Sequence, residues 1–508
     1  MLEPEAMRLG HCPSLATAAA ACIFVAACGA SAPADVPTPT AQLSAIPAPA
    51  RSAAGAIGLT DWPEFGLDPA RSDVSELATG ITAANLARLE ARTVSLPGTV
   101  DSSPIYLHGV TVEGATHDVV VVTTTYGRTL ALDGNSGRIL WTFTPPGYDG
   151  WAGSAQITTA SPIADPDRRS VYAASPDGEI HKLSLADGRE QPGWPVAVTR
   201  EPRHEKLAAA LNIDGPEVIA TTGGYFGDAP PYQGHVVLIS RSSGRLQAVF
   251  NTLCADRRGL ILPSSCSSSD SAILSRSGPV VEPGSGRILI DTGNGPWNGR
   301  TDFGDSALEL TFPALRLRQA FTPLDQAHLN SSDTDLGSSA PALLGHDRVV
   351  LAGKDGVLRV LELSRLDGQL PGSRARLGGE IQRLATPGGA ELFSTPAVWR
   401  RGSRTTVFVA DEAGTAAYVL EAGRLDRAWI NSNPGSSPVM AGGLLYVYDL
   451  ASGGIYVYRP GSGSPIAKLP GRPGHWNSPI VVDGHVIEPE GNGNDHSRGG
   501  TIEILSAR

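Results

Sequence analysis

The sequence predicts an all-β chain, an eight-bladed β-propeller of four-stranded antiparallel blades. Three observations point there. First, one pattern recurs eight times: a small residue, a proline, an apolar strand, a turn and a second apolar strand. The prolines are Pro104, Pro162, Pro216, Pro279, Pro341, Pro396, Pro438 and Pro479, spaced by 58, 54, 63, 62, 55, 42 and 41 residues. A period of about 40–50 residues with several strands per unit describes a propeller blade. One such unit cannot bury both faces of its sheet, so units must stack around an axis. Second, strand-forming runs such as VVVVTTTYG, HVVLIS, RILIDTG and LLYVYD dominate, and most of the 59 Gly and 40 Pro lie between them. Third, the chain ends on a third strand (GGTIEILSAR) with no fourth, while residues 91–96 (ARTVSL) form a strand that precedes the first blade. These two should pair, completing the last blade and removing two exposed sheet edges.

The remaining elements follow in chain order. Residues 15–27 (LATAAAACIFVAA) are apolar, follow Arg8 and are too short to span a bilayer well. They end in Val25-Ala26-Ala27-Cys28, which resembles a bacterial lipobox and implies acylation of Cys28. An ordinary cleaved secretory signal is the alternative. Glu3 and Glu5 suit a basic leader poorly, which leaves Met7 beside Met1 as a possible natural start. Residues 28–58 are rich in Pro, Ala and Ser and read as a tether, with the propeller over 59–508. A diacyl pair plus an N-acyl group is enough for stable membrane anchoring. The expected location is therefore a bacterial membrane, with the propeller in the periplasm or on the cell surface. One helix is expected over 82–90 (TAANLARLE).

With Cys12 and Cys22 in the signal and Cys28 lipidated, Cys254 and Cys266 remain. An even pair in an exported protein predicts a disulfide, worth roughly 3 kcal/mol on the chain-entropy account; two free thiols are the alternative. There is no CxxC or CxxCH, and no GxSxG, HExxH or Walker loop. Zinc-knuckle, haem-attachment, hydrolase and nucleotide readings therefore have no motif. A formal net charge of −11 without Lys/Arg stripes disfavours a nucleic-acid partner and reads as a device for solubility.

Residues 130–141 (LALDGNSGRILW) resemble the signature of pyrroloquinoline quinone (PQQ) repeat propellers, of the quinoprotein alcohol dehydrogenase-like kind. Asp133 caps the turn, Gly137 supplies a positive-φ corner and Trp141 packs between blades. Weaker copies lie at 183–194, 238–250 and 361–368, and residues 61–89 are similar to the lead-in of such proteins. Enzymes with this fold hold PQQ and calcium at the channel mouth. The resemblance carries over residue by residue. Asn294, in DTGNGPWNG, matches the calcium-ligand Asn, with Trp297 in the same motif. Asp333 is the nearest match to the catalytic Asp, with Asp335 as alternate. Asp228 is a candidate for the charge of the missing Glu ligand. Arg276 stands where the family has a Trp under the quinone, and the family's pair of adjacent cysteines is absent.

Each of these residues also has a structural reading. Asn294, Asp333 and Asp335 can cap turns, and Trp297 can pack between blades. His475 and Trp476 open the last blade and are candidates to line a carbohydrate or peptide site. Three functions are consistent with the sequence. The first is a non-catalytic, membrane-anchored platform for cell-envelope proteins, for which the barrel-assembly lipoprotein with PQQ-like repeats is the precedent. The second is a PQQ- and calcium-dependent dehydrogenase of alcohols or sugars. The third is a propeller that binds a small molecule or sugar at its rim. The missing stacking pair and Glu favour the first.

Overall fold

The computed structural model describes residues 60–497 and 499–507. The signal, lipobox, Cys28 and tether expected over 1–58 lie outside the described residues. Eight blades of four antiparallel strands form the propeller, and Val74–Ser75 adds a parallel fifth strand beside Val439–Ala441. Their innermost strands are Ile105–Val112, Ile163–Ala164, Asn212–Asp214, Val280–Glu282, Ala342–Gly345, Ala397–Arg401, Val439–Ala441 and Ile480–Val482, which define blades 1 to 8. No helix among the described residues is long and apolar enough to cross a membrane.

The seam closes as expected. Glu90–Leu96 pairs antiparallel with Gly500–Ser506, Ala91 facing Leu505 and Ser95 facing Thr501, as the outermost strand of blade 8. The apolar core lies between blades rather than within them. Ile105, Val121 and Trp141 of blade 1 pack on Ala164, Val171 and Leu183 of blade 2. One cluster joins blades 7, 8 and 1 through Tyr446, Ile487 and Tyr106, so the apolar core runs continuously across the seam.

The Ser/Thr-Pro pattern has a hydrogen-bonding cause. The Ser103 hydroxyl accepts the Ser478 N–H at 3.1 Å, Ser161 accepts that of Ser103 at 2.9 Å, and Ser437 accepts that of Thr395 at 3.0 Å. These three hydroxyls before a proline thus satisfy buried amides of the adjacent blade. Proline follows because the edge facing the channel needs no donor there.

The PQQ-like signature acts as inferred. Asp133 Oδ1 accepts from the Ser136 N–H and hydroxyl, both at 2.7 Å, and Gly137 has φ +72°. Trp141 Nε1 donates to the Leu185 carbonyl of the next blade at 2.9 Å.

Two expectations are corrected. Pro216 does not open blade 3. It lies in the turn between Asn212–Asp214 and Glu217–Thr221, and Leu211 occupies the place that proline holds elsewhere. The helix expected over 82–90 is a single 3₁₀ turn, Leu86–Arg88. Strand pairing claims Glu90 onward, so tertiary structure overrides local helix propensity.

The lead-in has a structural task. The residue two past the opening proline donates its backbone N–H to this segment in five blades. Tyr106 bonds Trp62 O, Ala164 bonds Pro63 O, Val281 bonds Pro69 O, Val398 bonds Ser72 O and Met440 bonds Asp73 O, at 2.8–2.9 Å. Residues 62–73 thus cover the inner edges of the innermost strands. Arg71, 1% exposed, anchors the segment through Glu64 and the carbonyls of Phe65 and Leu211, each at 2.7 Å.

Candidate functional site

The residues three places before the opening prolines form a ring at the other end of the innermost strands. They include Asp101, Arg276, Phe393 and Trp476. Here the Arg276 side chain leaves blade 4 and reaches blades 1 and 8. Its Nη1 donates to the Asp101 carbonyl at 2.8 Å and its Nη2 to Asp101 Oδ2 at 2.9 Å. Nη2 is also 2.9 Å from His475 Nδ1, which itself lies 2.8 Å from Asp101 Oδ2. In an eight-membered ring, blade 8 lies opposite blade 4, so this guanidinium crosses the channel. Burial would raise the Asp101 carboxyl, but Arg276 and His475 beside it hold it at about 2. The Gly493 N–H completes its shell at 2.7 Å. Trp476 stacks on Phe393 with ring centroids 4.6 Å apart, forming an aromatic wall next to His475.

The connections over residues 294–305 and 325–335 meet. Asn294 donates its backbone N–H to Asp335 Oδ1 at 2.8 Å, and its carbonyl accepts from Ser271. Its side-chain amide makes no hydrogen bond to described residues. Lys354 Nζ sits 2.5 Å from Asp335 Oδ2. Asp335 is 3% exposed, and burial raises its carboxyl against the pull of Lys354. Gln326 bridges the Gly295 carbonyl and Asp305. Asp305 is fully buried, accepts from the Leu336 N–H, and is pushed up to about 8 by burial and by the like charge of Asp335.

The other sequence candidates are placed differently. Asp333 has a side chain 63% exposed, 3.7 Å from Lys354 Nζ, at a turn with φ +52°. Asp228 is exposed and accepts the Tyr232 hydroxyl at 2.7 Å. Trp297 bridges to Phe303 and packs on the core between blades 3 and 4. Cys254 and Cys266 are bonded, and the Cys254 N–H reaches Asp302, so the staple ties its loop to the connection after Asn294. Sequence reasoning missed Asp101, Asp270, Asp305 and Lys354. Burial raises the Asp270 carboxyl against a hydrogen bond from Tyr232, and the charges of Asp228 and Asp335 raise it further.

These residues do not fit a calcium–quinone pair. Calcium requires about six to eight oxygen ligands. Asn294 and Asp335 are adjacent, but Asp335 is already neutralised by Lys354, Asp333 faces solvent and Asp228 is engaged by Tyr232. Arg276, expected from the sequence at the family's stacking Trp, is committed across the channel to Asp101 and His475. Neither face of a planar quinone therefore has its aromatic or disulfide support.

Residues 83–259 match the family described as outer membrane protein assembly factor BamB. No curated protein matches the chain. Among solved structures, quinohemoprotein alcohol dehydrogenase from Comamonas testosteroni is similar over 88% of this chain and 81% of its own, with 15% identity and a TM-score of 0.63. Quinohemoprotein alcohol dehydrogenase ADHIIG from Pseudomonas putida HK5 is similar over 88% and 80%, with 13% identity and the same TM-score of 0.63. A europium-containing methanol dehydrogenase is similar over 89% of this chain and 98% of its own, with 14% identity and a TM-score of 0.63. At these identities the likeness is one of fold. The chain therefore resembles PQQ-repeat proteins over residues 83–259, and its closed eight-bladed ring shares its fold with these quinoprotein dehydrogenases.

Proposed function

We propose that the protein is an exported lipoprotein, anchored through Cys28, whose propeller is a binding platform for cell-envelope proteins rather than a quinone enzyme. The observation that carries this reading is the Arg276–Asp101–His475 bridge, which engages the residue expected at the stacking position. A buried ion pair of this kind is costly to break, because each charge would be left without a partner. The match of residues 83–259 to an outer membrane assembly factor supports a role in envelope assembly. Fold alone decides nothing between platform and enzyme.

A second reading, a PQQ- and calcium-dependent dehydrogenase of alcohols or sugars, is favoured by the adjacency of Asn294 and Asp335. The two separate in one assay. The protein is incubated with PQQ and calcium, and dye reduction is followed with alcohols and aldoses. The platform reading expects no turnover above the protein-free rate. Turnover that Asn294→Ala abolishes would overturn it. For the anchor, Cys28→Ser should move the protein from the membrane fraction to the soluble fraction; wild type and variant both in the membrane fraction would refute lipidation.

A further inference from the structure

Three metal-ligating side chains converge where blade 8 meets blade 1, at the end of the innermost strands opposite the mouth. His108 sits on Ile105–Val112, where pairing with Ala115–Thr123 shifts register between Leu107 and Val110. Asp118 lies on the second of these strands, and Asp483 lies in the turn between Ile480–Val482 and His485–Pro489. His108 Nδ1 is 2.9 Å from Asp118 Oδ1 and 2.7 Å from Asp483 Oδ2, and the three ligand atoms all fall within 4.8 Å of one another. An imidazole Nδ1 carries at most one hydrogen, so it answers only one of the two carboxylates. Among the described residues no lysine or arginine pairs with either. Arg168, nearby, is spent on Asp61 and the His108 carbonyl. Other groups hold the carboxylates in place. The Tyr106 hydroxyl donates to Asp483 Oδ2 at 2.9 Å, the Gly109 N–H to Asp118 Oδ1 at 2.9 Å, and Asn135 Nδ2 to Asp118 Oδ2 at 3.0 Å. The cluster is open to solvent, with side chains 51%, 21% and 32% exposed for His108, Asp118 and Asp483.

We propose that His108, Asp118 and Asp483 bind one zinc ion, which ties blade 8 to blade 1 on the solvent side of the ring closure. One imidazole nitrogen and two carboxylate oxygens, with solvent in the fourth position, make a tetrahedral zinc set. Imidazole suits zinc, whereas calcium takes six to eight oxygens. Zinc holds its ligand atoms roughly 3.3 Å apart, so the cluster opens by about half an ångström, a movement available to the exposed His108 ring. Tyr106, Gly109 and Asn135 already orient the ligating oxygens, as the outer partners of metal ligands do. The ion's charge offsets the two carboxylates. A second compact group, Asp177, Glu179 and His181, lacks a free imidazole: Nε2 is 2.8 Å from the Ser175 hydroxyl and Nδ1 is 2.6 Å from Glu190. The zinc site stands apart from the mouth and holds whether the propeller is a platform or an enzyme.

The test is calorimetric titration of the protein, purified without a histidine tag and freed of metal with EDTA, with zinc chloride. The expected result is saturable binding of one zinc per chain, at least tenfold weaker in His108→Ala and in Asp483→Asn and unchanged in Asp177→Asn. Zinc should also raise the melting temperature of wild type and leave that of His108→Ala where it was. Should a variant fold poorly, wild-type protein is treated with diethyl pyrocarbonate with and without zinc, and protection of His108 is read by mass spectrometry. No saturable zinc binding, equal affinity in His108→Ala, loss of binding in Asp177→Asn, or equal modification of His108 with and without zinc would overturn the proposal.

Discussion

The Arg276 guanidinium of blade 4 contacts the Asp101 carboxylate of blade 1, Nη2 to Oδ2 at 2.9 Å, 175 residues away in the chain. The pair joins two blades that share no sheet edge, and it draws in His475 from the last blade. Its pH behaviour has a defined sign. Asp101 is held at about 2, below its ordinary 3.8, so its ion pair stabilises the fold above pH ~4 and that contribution disappears as pH falls toward 2. The shift corresponds to roughly 2 kcal/mol. Asp101→Asn should flatten urea-measured stability over this window. An identical pH dependence in wild type and variant would refute the pairing.

Asp305 titrates the other way. Its carboxyl is raised to about 8, so it favours the fold when protonated, below its ordinary pKa, and that contribution disappears as pH rises through 8. Asp305→Asn mimics the protonated form. The variant should match wild type near pH 5 and exceed it near pH 9. Equal destabilisation at both pH values would contradict the assignment.

The signature glycines are set by the preceding blade. Gly188 has φ +70°, and a Cβ there would lie 2.6 Å from Trp141 Cε3; at Gly137 the nearest atom would be Val94 Cγ2, at 2.4 Å. Gly188→Ala should cost about 1–3 kcal/mol by thermal or urea unfolding. An unchanged melting temperature would show that Trp141 does not hold this interface.

The seam makes a sharper demand. Deleting residues 90–97 removes seven backbone pairs and exposes Gly500–Ser506 as a free edge. The deletion should aggregate or lose cooperative melting. A soluble deletion with the wild-type melting temperature would contradict closure by this strand.

Much of this was legible in the chain, for physical reasons. Seven of the eight opening prolines start an innermost strand, because the pattern around them encodes a repeated contact between blades. Blade 3 was misread because Leu211 replaces the proline, and Pro216, one turn later, gave a similar local signal. The Asn294–Asp335 contact followed from a motif, although its alternate residue, rather than Asp333, makes it. The Arg276–Asp101–His475 bridge has no local signature, since its members lie on three blades. A signal did exist: Asp101, Arg276, Phe393 and Trp476 share one offset from their prolines.

The measurement that bears most directly on the account is calorimetric and absorbance titration of PQQ into the protein, with and without calcium. The Arg276 bridge predicts no calcium-dependent binding at high micromolar PQQ. Calcium-dependent binding that Asn294→Ala abolishes would show that the mouth still holds the quinone, and the bridge would then have to open to admit it.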